Sequence, residues 1–240
     1  CIIYNMAQQN IKQIIKQEDI KCAKDPVYFM KKYCWIQHPT RGRVQFNLYP
    51  FQEGALNLLQ KNDRNIILKS RQLGISTLSA GISLWMMVFQ KDKSILVVAT
   101  KQDTAKNLVT KVKFMYDNLP SWLQIGFTEN NKLALRLKNG SQVKAVSAAS
   151  DAGRSEAISL LIIDEAAFIE ENRIEEIWGS SQQTLSTGGR AIVLSTPNGT
   201  GNFFHRMWTK AEEGANGFVP IRLPWTVHPE RNQEWRDKQD

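Results

Sequence analysis

Cysteine and histidine are scarce, with three of each in 240 residues. Cys1, Cys22 and Cys34 are odd in number and lack metal-ligand spacing. This argues against a disulfide framework and for free thiols in a reducing compartment. His38, His205 and His228 stand apart in the chain, so no metal centre built from protein ligands alone is expected. Apolar runs stop well short of the ~20 residues that cross a bilayer, and no signal peptide is visible. Internal repeats and low-complexity tracts are also missing, which excludes a repeat architecture. A chain that begins at Cys1 rather than Met is expected to be an excised piece of a longer protein.

What remains is the composition of an intracellular α/β enzyme. This length can bury a proper core, as one domain with an appendage rather than two equal domains. A net charge of +8 points to a polyanionic partner, although many soluble proteins are mildly basic. Residues 65–69, 94–100, 160–164, 190–196 and 218–223 read as strands, and residues 76–89, 102–118, 173–185 and 203–213 as helices. Their alternation predicts βαβ units and a parallel sheet. Residues 133–137 and 142–146, joined across Asn139-Gly140, predict a hairpin that interrupts the parallel pattern. A Lys-rich helical leading segment is expected before about Pro39.

The most informative stretch runs from Asn65 through Lys69, Ser70, Arg71, Gln72, Leu73, Gly74, Ile75, Ser76 and Thr77 to Ala80. It reads as an apolar strand, a tight polar loop and a helix start, which is how a phosphate-binding loop is built. Gly74 and Ser76 stand where the pattern G-x-x-x-x-G-K-[ST] wants its second Gly and its hydroxyl. The first Gly and the Lys are absent, replaced by Lys69 and Ile75. An ordinary strand-to-helix turn with Gly at the bend is the competing reading. A second stretch, from Ser159 to Phe168, is an unbroken apolar run that ends in Asp164 and Glu165. Such a run suits a buried parallel strand, and carboxylates at its end emerge where open α/β sheets bind ligands. The alternative for the acid pair is a helix N-terminus. The two stretches together, in this order, point to a P-loop ATPase.

From about Asp25 to Gln239 the ordered motifs resemble the ATPase domain of the large terminase subunit of tailed phages, in its T4-like branch. The residues that carry the resemblance are Leu48-Tyr-Pro-Phe-Gln52, Ser70-Arg-Gln-Leu-Gly74, Gly153-Arg154, Ile163-Asp-Glu-Ala-Ala-Phe168, Ser195-Thr-Pro-Asn-Gly199, and Trp225 with His228-Pro-Glu-Arg231. The resemblance implies an α/β fold: a RecA-like P-loop NTPase of the ASCE class, with a mostly parallel central sheet flanked by helices and a small lid subdomain. The corresponding organisation is a leading helical segment over 1–40, an ATPase core over 41–202 and a lid over 203–240. The family's nuclease domain would begin where this chain stops, so no nuclease activity is expected from it.

The resemblance also implies roles. Gln52 would meet the adenine edge through its amide, with Tyr49 or Phe51 packing on the base; an aromatic cluster at a helix start is the alternative. Arg71 would lie against the phosphates, where a guanidinium can grip oxygens bidentately. Lys69, at the front of the motif, would reach back to the β/γ-phosphates in place of the missing loop lysine. The alternative is that Lys69 only ends a strand and the site is impaired. Ser76, phosphates and waters would hold Mg²⁺, with Asp164 in its outer shell and Glu165 orienting the attacking water. Arg154 would be a finger donated to a neighbouring subunit's ATP, or else a surface salt bridge. Ser195 and Thr196 would sense the γ-phosphate. Trp225, His228 and Trp235 read as packing residues.

Function follows as an expectation: an ATP-hydrolysing motor that translocates double-stranded DNA into a procapsid. Its partners would be that DNA, the portal protein and the small terminase subunit. It would work as a homo-oligomeric ring on the procapsid, with a monomer in isolation left open and no membrane involved. It would act in the host cytoplasm at the portal vertex and would not stay in the virion. Lys101, Lys106, Lys111 and Lys113 form a basic stretch on an expected helix, with the spacing of a solvated face as much as of a DNA contact. Two rivals stay open. A superfamily 2 helicase-like ATPase shares the nucleotide motifs but needs a second RecA-like lobe that this length cannot hold beside a lid. A binding-only module with a degenerate P-loop is the other, with Ile75 as its best support.

Overall fold

The computed structural model describes residues 2–148, 157–185 and 188–237. Two helices lead, α1 (Ile2–Lys24) and α2 (Pro26–Tyr33), followed by a short antiparallel hairpin of β1 (Trp35–His38) and β2 (Gly42–Gln45). Then come α3 (Pro50–Lys61), β3 (Arg64–Lys69), α4 (Ile75–Phe89), β4 (Ser94–Ala99) and α5 (Gln102–Asp117). The strands β5 (Phe127–Asn130), β6 (Ala134–Leu137), β7 (Gln142–Ser147) and β8 (Leu160–Asp164) precede α6 (Glu171–Leu185). The last elements are β9 (Arg190–Ser195), α7 (Phe203–Glu212), β10 (Val219–Leu223) and α8 (Gln233–Asp237).

Eight strands form the central sheet in the order β10-β3-β9-β8-β4-β7-β6-β5. The first six are mutually parallel, and β6 and β5 join antiparallel at one edge. The sheet is apolar on both faces, as parallel strands covered by crossover helices must be. Alternate residues serve opposite layers. Ile67, Ile162, Ile192 and Leu194 face α3, α4 and α5, while Ile66, Leu161, Ile163 and Val193 face α6 and α7. Helix α4 carries no charged residue and is buried on nearly every side, so packing rather than amphipathicity fixes it. Gly81 lets it lie against α2, since a Cβ there would come within 2.8 Å of Met30 Sδ.

The expected hairpin forms, with β6 pairing antiparallel to β7 across Asn139-Gly140, while β7 itself pairs parallel with β4 from Ser94↔Gln142 to Ala99↔Ser147. The β1–β2 hairpin pairs Trp35 with Gln45, on either side of the boundary expected at residue 40. The expected lid contributes β10 to the sheet, in register with β3, and α7 buries Phe203, Phe204 and Trp208 in the core. Apolar strands and amphipathic helices find the sheet wherever they fall in the chain.

The leading helices are tied down by polar contacts. Glu18 of α1 accepts hydrogen bonds from Tyr28 Oη (2.9 Å), Lys32 Nζ (2.8 Å) and Tyr33 Oη (2.6 Å) on α2. Trp85 Nε1 of α4 donates to the Cys22 carbonyl at 2.9 Å. Cys22 and Cys34 are free and buried. Burial pushes the Cys22 thiol up to about 12 and raises Cys34 further, so neither is a reactive thiolate.

Candidate nucleotide site

Strands β3, β8, β9 and β10 end at the same edge of the sheet, and the functional side chains gather there. Strand β3 ends at Lys69, and the loop of residues 70–74 turns into α4. Gln72 (φ 58°) and Gly74 (φ 72°) are left-handed while Arg71 and Leu73 are not. Alternating hands turn successive N–H groups to one concave side, which makes a nest for an anion. Gly74 occupies the N-cap of α4 and no side chain caps the helix, so its first N–H groups add to the nest. Leu73 and Ile75 are each 2% exposed and sink into the core beside α4. The hydrophobic residue at the usual lysine position therefore anchors the loop.

A cation, Lys69, stands in front of the loop. Lys69 Nζ donates to Glu165 Oε1 at 2.8 Å, with the lysine side chain 8% exposed and the glutamate 31%. Ser76 Oγ donates to Asp164 Oδ2 at 2.8 Å, and Asp164 Oδ1 accepts the Glu165 N–H at 2.9 Å. Burial raises the Asp164 carboxyl above its ordinary value, with the Lys69 ammonium opposing the shift. Glu165 sits at φ 53°, a strained position for a residue with a Cβ.

Strand β9 lies between β3 and β8, so its end falls between the loop and the acids. Thr196 Oγ1 donates to Glu165 Oε2 at 3.2 Å. Ser195 differs from expectation: it is fully buried and its Oγ accepts the Ala167 N–H at 3.1 Å. Asn198 Nδ2 donates to the Ala167 carbonyl at 3.0 Å, so Ser195 and Asn198 brace the turn after the acids, and the Thr196 hydroxyl alone touches Glu165. A cleft of about 410 Å³ opens above, lined by Arg71, Thr100, Lys101, Glu165, Phe168 and Thr196.

On the other side of the loop a second cavity of about 460 Å³ is lined by Tyr49, Gln52, Gly74, Thr77 and His228 among others. The Gln52 amide is already engaged: Oε1 accepts the Tyr49 N–H at 3.0 Å and Nε2 donates to the Leu73 carbonyl at 2.9 Å. The side chain is 4% exposed. Through these two bonds it ties α3 to the loop. Tyr49 stacks on Phe51 at 5.8 Å between centroids, and His228 lies 4.7 Å from Tyr49.

Arg154 and Gly153 lie outside the described residues. Lys106 and Lys113 pair along α5 with Asp103 and Asp117, as on a solvated helix face. Lys111 turns inward instead. Burial lowers its ammonium below the ordinary value, and it lies within electrostatic reach of Asp164 and Lys69. Arg231 has no role of its own in the sequence reading, yet its guanidinium reaches the loop backbone. A stretch of charged residues far along the chain carries no signal that would have foretold this.

Fold and site together define a RecA-like P-loop NTPase with a lysine, Lys69, at the end of the strand that leads into the loop. The family described as terminase large subunit, T4likevirus-type, N-terminal, matches residues 66–234, and the chain belongs to it. Among solved structures, the large terminase of bacteriophage HK97 is similar at 17% identity with a TM-score of 0.70, over 90% of this chain and 46% of that one. The ATPase domain of the Thermus phage P74-26 large terminase is similar at 19% identity with a TM-score of 0.65, over 81% of this chain and 88% of that one. The large terminase of a thermophilic bacteriophage, in complex with ATP-gamma-S, is similar at 12% identity with a TM-score of 0.62, over 80% of this chain and 49% of that one. The chain thus spans about half the length of the whole terminases it matches.

Proposed function

We propose that this chain is the ATP-hydrolysing motor domain of a phage DNA-packaging terminase. The observation that carries the reading is the Lys69–Glu165–Thr196 contact at the mouth of the nest. An acid with the freedom to orient water, a cation at the position of a transferred phosphate and a hydroxyl that reports on the acid are the parts hydrolysis needs. A binding-only site would not need the acid so placed.

In this reading the N–H groups of the nest take the β-phosphate, Lys69 leaves Glu165 for the β/γ-oxygens, and Arg71 grips the exposed side of the phosphates. Released from Lys69, Glu165 orients the attacking water, and Thr196 follows its carboxylate. Ser76 and Asp164 fit a Mg²⁺ ion, being hard oxygen donors already within hydrogen-bond distance of each other. Among the described residues no group of three or more His, Cys, Asp or Glu side chains could hold a metal. When bound, the ion would neutralise charge on the β- and γ-oxygens.

The whole-motor properties belong to the same proposal. They are translocation of double-stranded DNA, a homo-oligomeric ring completed by Arg154 from a neighbour, docking on the portal protein, delivery by the small subunit, and action at the procapsid in the host cytoplasm. The net charge of +8 favours a polyanionic partner. Such a motor should grip phosphates rather than read bases, because it must move any sequence.

ATP hydrolysis measured against protein concentration tests the proposal, with wild type compared to Glu165→Ala, Lys69→Ala and Arg154→Ala. Activity that rises faster than linearly and is lost in all three variants is expected. Hydrolysis that survives Lys69→Ala would remove the displaced-cation reading. Nucleotide binding without hydrolysis at any concentration would favour a binding-only site.

A further inference from the structure

Three consecutive carbonyls of the phosphate loop are held by side chains from distant parts of the chain. Arg231 donates from Nη1 to the Arg71 carbonyl at 3.0 Å and from Nη2 to the Gln72 carbonyl at 2.9 Å. Gln52 Nε2 takes the next carbonyl, Leu73, at 2.9 Å. The Arg231 guanidinium is itself held flat, 4.4 Å from the Trp235 ring centroid, and Trp235 lies 6.1 Å from Trp225. Its own N–H donates to the His228 carbonyl at 3.1 Å, closing the turn that presents it. Partial burial lowers the guanidinium below its ordinary value.

A trans peptide is planar, with its C=O and N–H on opposite sides. Fixing the carbonyls of Arg71, Gln72 and Leu73 outward fixes the N–H groups of Gln72, Leu73 and Gly74 inward, toward the nest. No backbone acceptor stands opposite those three N–H groups among the described residues. An Arg fork matches two adjacent oxygens in a way a lysine cannot, and its charge polarises each peptide so that the far N–H donates more strongly.

We propose that Arg231 is a positioning residue that, with Gln52, presets the loop's N–H groups for the phosphates of a nucleoside di- or triphosphate. This rests on the nucleotide reading above. The segment around α8, expected from the resemblance to belong to a lid, then acts on the loop from outside, through peptide groups rather than by touching the ligand. Pre-organising the nest lowers the cost of ordering it at the moment of binding.

Calorimetric titration of the intact chain with ADP, ATP and AMP provides the test, using wild type, Arg231→Ala, Arg231→Lys and Trp235→Leu. Arg231→Ala should weaken ADP and ATP by about tenfold to a hundredfold. AMP, which has no β-phosphate to meet the preset N–H groups, should change less than about twofold. Arg231→Lys, reaching one carbonyl of the two, and Trp235→Leu, leaving the fork unstacked, should fall between. Should Arg231→Ala fail to fold, the lysine variant decides by the same ADP-to-AMP contrast. Equal losses for ADP and AMP would overturn the proposal, leaving Arg231 a purely structural tie, as would ADP affinity in Arg231→Ala equal to that of a wild type that binds. A wild type that binds neither ADP nor ATP would overturn the nucleotide reading, and the positioning role with it.

Discussion

Replacing Glu165 with Gln should tighten ATP binding while abolishing turnover. In the resting site Glu165 occupies Lys69 Nζ at 2.8 Å, so an arriving γ-phosphate must take the ammonium from a carboxylate and then sit beside that carboxylate's charge. Gln keeps the shape and an oxygen that can still accept from Thr196, but removes both costs. A hydrogen bond between charged groups contributes about 1.5 to 3 kcal/mol against about 1 for a neutral one. The Glu165 side chain is 31% exposed, and solvent screening trims the difference to about 1 to 2 kcal/mol. At 1.4 kcal/mol per decade this is about 5- to 30-fold tighter ATP. ADP, lacking the γ-phosphate, should gain less. Hydrolysis should fall by about 10² or more, the usual scale for losing a positioned acid–base group. Calorimetric titration of a non-hydrolysable ATP analogue and of ADP, beside steady-state phosphate release, reads both effects. Affinity for the ATP analogue that is unchanged or weaker in Glu165→Gln would refute the idea that Glu165 competes for Lys69.

Other perturbations test the scaffold. Gly74→Ala forces a Cβ into a left-handed residue and within 2.6 Å of Gln52 Nε2, so strain plus the lost Gln52–Leu73 bond should cost about 2 to 4 kcal/mol; a urea melt with an undiminished midpoint would contradict this. Trp85→Phe removes the donor to the Cys22 carbonyl and should lower stability by about 1 to 3 kcal/mol, with hydrogen exchange rising first in the last turn of α1. The bonds from Lys32, Tyr33 and Tyr28 hold the Glu18 carboxyl at about 2, below its ordinary 4.5. A lowered acid stabilises the fold above its unfolded pKa and loses that contribution as pH falls from 4.5 through about 2. In Glu18→Gln the α1–α2 clasp should therefore show a flatter acid response over that window, measured by exchange at the α2 amides.

Local chemistry wrote much of this protein into its sequence. Gly74 before a helix start, Ser76 two residues on, and an apolar run that stops at Asp164 and Glu165 are all contiguous patterns. Their periodicity says which segments are strands and that both faces are buried, because a parallel strand has no solvent side. The sequence also placed Lys69 at the strand end, where a cation could serve the loop. It did not reveal that Ile75 would be an anchor, since a hydrophobic residue at a functional position looks like a defect until its core pocket is known.

Tertiary structure decided the rest, through contacts between residues far apart in the chain. Insertion of β9 between β3 and β8 puts Thr196 on Glu165 and turns its neighbour Ser195 into a brace. Pairing of β10 with β3 draws the C-terminal segment beside the loop, where Ser70 N–H donates to the Leu223 carbonyl and Arg231 reaches Arg71 and Gln72. Strand order is a property of the assembled sheet: each of several pairings would satisfy the same apolar runs, and the energy that selects one comes from contacts that no local window of sequence contains.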